Sequence, residues 1–239
     1  MNTIKIDRKQ AQMVAHRGVS GLEMENTNAA FVAAGSRSYF GIETDVHVTS
    51  DKQIVVIHDD DLKRVAGVDK IVEESTLAEL KAIPLYDKVP GTARTDLRTP
   101  ILSEYINICK KYEKTAVLEL KNQMEPEDVA HIVDIIRELN YLDGTIFISF
   151  AWDNLVYVKN LVPEQTVQFL TVDIDDEMIA KMIENNFDLD IHHKTLTAEL
   201  ISILHAAGIK VNCWTVDDPE DAAKYIAWGV DFITSNILE

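Results

Sequence analysis

The chain has 239 residues, and 40 Asp and Glu against 23 Lys and Arg give it a net charge of −17. That acidic surplus argues against non-specific nucleic-acid binding and against stable anchoring on anionic membranes, both of which need a basic surface. An apolar content of 46% supplies a sizeable core and excludes a disordered chain.

In chain order, short β-branched apolar runs alternate with helical patterns. Strands are predicted at 13–16, 41–46, 116–120, 145–149, 167–172, 189–192, 210–215 and 231–234. Helices are predicted at 27–38, 102–113, 126–140, 153–161, 176–185, 196–207 and 219–228. Asp153, Asp175, Thr197 and Asp218-Pro219 carry start signals, and Gly208 and Gly229 carry stop signals. Strand–helix alternation implies a parallel sheet with helices outside. Eight strands in one chain of this length imply a closed (β/α)8 barrel of the TIM type over 1–239. No glycine-rich phosphate fingerprint follows the first strand, which weighs against an open doubly wound sheet.

Residues 47–101 break the rhythm. The apolar run 54–57 follows the second strand too closely for a parallel crossover, which needs about a dozen residues. Turn-rich sequence with Pro84, Pro90, Gly91 and Pro100 comes next. The segment therefore reads as a small subdomain inserted after the second strand, over the C-terminal face where barrel enzymes place their sites.

Chemistry concentrates at the predicted strand ends. The first ends in His16-Arg17-Gly18, the second carries Glu43-Thr44-Asp45, the third Glu119-Leu120-Lys121, and the inserted run ends in His58-Asp59. Residues i and i+2 of a strand share a face, so Glu43 joins Asp45 and Glu119 joins Lys121. Buried carboxylates need partners. Arg17 and Lys121 can serve, or the three acids Glu43, Asp45 and Glu119 can hold a hard cation, Mg2+ or Ca2+. The charge count favours the cation: three carboxylates outweigh two cations, and a divalent ion reverses the sign and suits an anionic phosphodiester. His16 and His58 are the proton-transfer candidates, with Asp59 placed to orient His58. Trp214 shares a strand face with Asn212 and can wall a pocket. His131 and His205 read as structural, His192-His193 as possible pocket lining, and His47 has no assigned role. Exposed aromatic clusters are not expected. Cys109 and Cys213 show neither zinc nor disulfide spacing, and residues 1–18 lack the apolar core of a secretory leader, so a cytoplasmic protein is expected.

These strings together resemble the glycerophosphodiester phosphodiesterase family. The match comprises His16-Arg17-Gly18, Glu25-Asn26-Thr27, Ile42-Glu43-Thr44-Asp45-Val46, His58-Asp59 with Leu62 and Arg64, Leu118-Glu119-Leu120-Lys121, Ser149-Phe150 and Trp214-Thr215-Val216. Met24 stands where that pattern usually has Pro, and Val65-Ala66 where it often has a Thr pair. The resemblance implies a barrel with an insertion after the second strand, and metal-dependent hydrolysis of a small glycerophosphodiester to glycerol 3-phosphate and an alcohol. It implies metal ligation by Glu43, Asp45 and Glu119, acid/base work by His16 and His58, and phosphate contacts from Arg17 and Lys121. The nucleophile is water or the neighbouring glycerol hydroxyl, and either His can take either part. The competing readings are a barrel acting on lysophospholipids or sphingolipids by internal transfer, and a non-catalytic binding barrel.

Overall fold

A computed structural model describes residues 2–88, 92 and 94–239; Pro90 and Gly91 of the turn-rich stretch lie outside the described residues. The first strands are β1 (Gln12–Ala15), β2 (Gly41–Val48), the short β3 (Ile54–Val56) and β4 (Thr115–Leu120). They are followed by β5 (Thr145–Ser149), β6 (Val167–Thr171), β7 (Asp188–His192), β8 (Val211–Trp214) and β9 (Phe232–Ser235). All but β3 pair in parallel, in the order β1-β9-β8-β7-β6-β5-β4-β2, and β1 pairs back onto β2 to close the barrel. Each predicted strand is present, β5 with the predicted ends and the others with an end moved by a residue or two. β3 stays outside the ring as an antiparallel partner of β2, with Val56 opposite Val46.

The helices α1 (Asn28–Gly35), α4 (Leu102–Tyr112), α5 (Pro126–Glu138), α6 (Trp152–Leu161), α7 (Asp176–Asn185), α8 (Ala198–Ala206) and α9 (Pro219–Trp228) follow the sequence pattern. Short helices α2 (Lys63–Ala66) and α3 (Leu77–Ala82) lie between β3 and α4. Asp175, Thr197 and Asp218 each accept a backbone N–H at a helix N-terminus, as expected of such residues. Asp153 does not: α6 begins one residue earlier, Ala151 takes the N-cap position, and the Ala151 N–H is satisfied by Ser149 Oγ at 3.1 Å. Gly229 closes α9 in the left-handed conformation, φ 95°, which an L side chain rarely adopts.

Three apolar clusters divide the protein. The largest lies between strands and helices, where Tyr105 donates its hydroxyl proton to the Ile42 carbonyl at 2.7 Å. A small one plugs the barrel with Val14, Val117, Ile146, Ile148 and Leu170. The third belongs to the segment between β2 and α4, built on Val55, Leu62, Val65, Leu80, Leu85 and Leu97. Val65 and Ala66, at the departure from the usual Thr pair, are buried in this cluster. No helix among the described residues is long and apolar enough to cross a membrane.

Leu62 is fully buried at the centre of the third cluster. Leu62→Ala should cost about 2–5 kcal/mol. Hydrogen exchange is expected to quicken chiefly between residues 54 and 86 while β5–β9 stay protected; equal acceleration across the barrel would show that the segment and the barrel share one cooperative core.

Candidate active site

The parallel register of β2 and β4 sets Asp45 opposite Glu119. Glu43, two residues back on the same face, completes a trio whose buried carboxylate oxygens lie within 4.8 Å of one another. Lys121 extends the row, with Nζ 2.9 Å from Glu119 Oε1 and 3.9 Å from Asp45 Oδ1. Five of the predicted residues, His16, Arg17, Glu43, Glu119 and Trp214, line one cavity of about 200 Å³, and His58 reaches it from the end of the β3 hairpin.

The His16-Arg17-Gly18 turn hangs on Glu43. Arg17 (φ 52°) and Gly18 (φ 75°) are both left-handed. Arg17 N–H donates to Glu43 Oε2 at 2.8 Å, and Gly18 N–H donates to the Glu43 carbonyl at 3.2 Å. A Cβ on Gly18 would lie 2.7 Å from the Ala30 backbone, so the position is reserved for glycine. Past the turn, each residue of Glu25-Asn26-Thr27 has a separate task. Glu25 Oε1 accepts from Arg17 Nη1 at 2.8 Å. Asn26 Nδ2 donates to Asp45 Oδ2 at 2.7 Å while its Oδ1 accepts from Thr44 Oγ1 at 2.7 Å. Thr27 caps α1. The geometry holds with Met24 in place of Pro, because Thr27 Oγ1 donates back to the Met24 carbonyl at 2.6 Å and closes the loop.

The two imidazoles have different partners. His16 Nδ1 meets Asn236 Oδ1 at 2.8 Å. Asp217 accepts from Asn236 Nδ2 at 2.6 Å, which fixes the amide with its oxygen towards His16. His16 Nδ1 therefore carries the proton and Nε2 is the free acceptor. His58 Nδ1 instead meets a carboxylate, Asp59 Oδ1, at 2.7 Å. Asp59 is bridged by Arg64 to Glu25, and Glu25 to Arg17, so a chain of ion pairs runs from one histidine's neighbour to the other.

Sequence reasoning left four of these functions unseen. Asn236 sits just past β9, and the rule that barrel sites gather at strand ends points to it. Asp190 lines the cavity, and the alternation argument used for Glu43 and Asp45 singles it out in β7 as well. Glu25 and Arg64 meet from distant segments, and no pattern in one sequence reveals that. His47, unassigned from sequence, is buried under the hairpin, with Nδ1 3.0 Å from Glu73 Oε1 and Nε2 3.2 Å from the His58 carbonyl. His193 bonds the Tyr225 hydroxyl and His192 packs edge-on to Trp214, so the His pair stands behind the pocket wall. His205 bonds Asp231 at 2.8 Å, a structural contact. An exposed aromatic stands at the rim: Phe150 is 47% exposed and meets Trp214 edge-on at 5.8 Å, because it is the last inward-facing residue past β5.

The sequence pattern of the Glycerophosphoryl diester phosphodiesterase family matches residues 16–238. The chain belongs to this family. It is accordingly a phosphoric diester hydrolase. Among curated members, it is 29% identical over 227 residues to the glycerophosphodiester phosphodiesterase of Caldanaerobacter subterraneus subsp. tengcongensis, covering 94% of this chain and 93% of that one. It is 28% identical over 232 residues to that of Bacillus altitudinis, covering 93% of each. Among solved structures, an Oleispira antarctica phosphodiesterase in complex with the product sn-glycerol-3-phosphate superposes with a TM-score of 0.87 at 29% identity, covering 97% of this chain and 95% of that one.

Within this family member the electrostatics are set by crowding. Burial, then Asp45 and Glu119, push Glu43 well above the usual carboxylate range. Burial and Asp45 push Glu119 up to about 8. Burial opposes ionisation of Asp45 too, but Arg17, His58, Lys121 and the Asn26 amide outweigh it and hold Asp45 down at about 2. Among the described residues, Asp45 Oδ1 is buried without a hydrogen-bond partner. An orphaned oxygen at the centre of three crowded carboxylates fits a hard divalent cation. Burial and Arg17 lower His16 to about 4. Burial lowers His58 as well, against the pull of Asp45 and Asp59.

The raised acids set a pH dependence. Between about 4.5, the ordinary Glu value, and about 8, Glu119 binds more proton when folded than when unfolded, and Glu43 acts in the same sense. Their contribution is complete below the unfolded pKa and is lost as pH rises through the folded one. Chelator-treated protein should therefore lose Tm as pH rises from about 6.5 to about 8, above the range in which the lowered His16 and His58 act in the opposite sense. Added Mg2+ or Ca2+ should restore it, more at pH 8 than at pH 5. A Tm that climbs over this range without metal would contradict the crowding.

Proposed function

We propose that the chain hydrolyses glycerophosphodiesters to glycerol 3-phosphate and an alcohol, with Mg2+ or Ca2+ held by Glu43, Asp45 and Glu119. The observation that carries this reading is the clustering of those three carboxylates beside one small cavity that Glu43, Glu119, Arg17 and two imidazoles with unlike partners line. When bound, the cation neutralises the carboxylates and polarises a phosphoryl oxygen. Arg17 and Lys121 supply the remaining positive charge at the phosphate.

His16 is the base. Its Nδ1 proton is spent on Asn236, and its low pKa leaves Nε2 unprotonated at neutral pH to accept the proton of the attacking hydroxyl. His58 is the acid. Its Nδ1 faces the Asp59 carboxylate, which stabilises an imidazolium, and its Nε2 gives a proton to the departing alcohol. Its side chain is 32% exposed against 18% for His16, so the leaving alcohol faces solvent. We assign residues 47–101 as an inserted subdomain whose task is to bring His58, Asp59 and Arg64 over the barrel mouth. The two free thiols, Cys109 and Cys213, are buried, in keeping with a reducing cytoplasm.

Phe150 and the 53% exposed Val172, at the ends of neighbouring strands, give a lysophospholipid reading some support, an apolar rim. Against it stands the cavity of about 200 Å³, which is small for an acyl chain. Choline release should therefore be faster from glycerophosphocholine than from a lysophosphatidylcholine; the reverse order would favour the lipid reading.

The direct test is release of glycerol 3-phosphate from glycerophosphocholine by chelated protein refilled with Mg2+ or Ca2+. Turnover should return with the metal. His16→Ala and His58→Ala should each lower kcat by about 10²–10⁴-fold. Full activity in both variants would overturn the histidine assignment.

A further inference from the structure

The barrel interior contains a polar layer that the mechanism above does not use. Gln168, Asp190, Asn212 and Thr234 point inward from β6, β7, β8 and β9, and each is at most 2% exposed. Asn212 organises it: Nδ2 donates to Thr234 Oγ1 at 3.1 Å and to Gln168 Oε1 at 3.5 Å, and its Oδ1 accepts from Thr234 Oγ1 at 3.2 Å. Asp190, in register beside Asn212, joins the layer only through that amide. Among the described residues, its Oδ1 is fully buried and has no hydrogen-bond partner. A buried carboxyl oxygen without a partner is costly and is tolerated where a ligand or ordered water completes it.

Position says which ligand. Asp190 and Thr234 line the same cavity as His16, Glu43 and His58. The rest of that wall is apolar: Ile148, Leu170, Phe150 and Trp214. Asp190 is thus the polar anchor of an apolar wall, as in small-molecule pockets where a few placed polar groups give orientation. It lies outside the trio whose oxygens gather within 4.8 Å, so it is not part of the metal cluster.

We propose that Asp190 recognises a free hydroxyl of the glycerol portion of the substrate, with Thr234 beside it. The proposal rests on the phosphodiesterase reading and adds to it the residue that selects a polyol. The glycerol end is favoured over the departing alcohol because His58 hands its proton out on the exposed side, while Asp190 is on the enclosed side. A hydroxyl is favoured over an ammonium group because burial, with the Glu119 charge added, pushes the Asp190 carboxyl well above the usual range. A carboxyl whose charged form is disfavoured by burial attracts a cation less, while its oxygens still pair with a hydroxyl.

The test compares metal-loaded full-length protein on glycerophosphocholine and on its analogue lacking only the terminal glycerol hydroxyl. The wild type should prefer the glycerol substrate in kcat/KM by about 10–100-fold. Asp190→Leu should bring that ratio near one by losing activity on the glycerol substrate alone, with the analogue within about threefold of wild type. Asp190→Asn, nearly isosteric, should retain a smaller preference and serves if Asp190→Leu does not fold. Calorimetry supplies a readout free of turnover: glycerol 3-phosphate should outbind propyl phosphate in the wild type and lose that advantage in both variants. A ratio unchanged in the variants, or both substrates falling together, would assign Asp190 to the polar layer alone and overturn the proposal. A wild type that turns over neither substrate with either metal, yet still tells the two phosphates apart, would overturn the phosphodiesterase reading and leave the hydroxyl site standing.

Discussion

The mutual repulsion of Glu43, Asp45 and Glu119 is the constraint around which the rest of the site is arranged. Placing three carboxylates in a barrel interior costs several kcal/mol unless charge is returned to them. The strands create the problem, because the β2–β4 register and the two-residue alternation leave those side chains nowhere else to point. The loops resolve it. Arg17 supplies one cation and a backbone N–H, Lys121 a second cation, and Asn26 a neutral donor. The compensation is deliberately incomplete. Glu25 and Asp59 join the acids and Arg64 joins the bases, so five carboxylates face three permanent cations. One divalent ion brings the group close to balance, and the orphaned Asp45 oxygen marks where the shortfall is felt.

The same network explains why the chain between β2 and α4 matters to a site built mainly on barrel strands. Met24 and Ala29 pack against its apolar cluster and Ile54 and Val56 enter the main core, and polar contacts at the mouth add direction to that docking. Arg64 grips Glu25 and Asp59 together, Arg94 pairs with Glu23, and Lys88 donates to the Ser20 carbonyl. His47 carries the tie downward, joining the His58 carbonyl to Glu73, which in turn accepts from Asn122 past β4. His58 is thereby held from above and below. The proton donor's part proposed for His58 demands placement to within a fraction of an ångström, and a side chain at the tip of a three-residue strand has no such placement by itself.

How much of this could be read from sequence follows from the range of the interactions. Strand–helix alternation is local, so all eight barrel strands and their helices were legible, and Asp175, Thr197 and Asp218 were legible as caps. Asp153 misled because capping depends on which residue has extended backbone, and Ser149 already satisfied the turn before it. The carboxylate trio was legible because alternation along a strand fixes faces. Asp190 obeys the same rule, and was overlooked because no neighbouring motif drew attention to it. Glu25 and Arg64 were legible only as letters of a pattern. Their contact joins positions 39 residues apart, and neither periodicity nor propensity encodes it.

The interior of the barrel is divided by chemistry. The β1–β4 side bears the carboxylate trio, Arg17, Lys121 and the two imidazoles, and the β5–β9 side bears an apolar wall with a polar layer set into it. A phosphodiester is divided in the same way, with an anionic centre that needs cations and a polyol arm that needs shape and hydrogen bonds. The charged side alone would bind any phosphate, since Coulombic attraction is indifferent to what the phosphate carries. Selection among phosphodiesters therefore has to come from the other side, and within an apolar wall it can only come from the few polar atoms that remain unsatisfied there. A fully paired layer of Gln168, Asp190, Asn212 and Thr234 would stabilise the barrel and recognise nothing. One oxygen withheld from that pairing gives up a little stability for a site that distinguishes a hydroxyl from a methyl group.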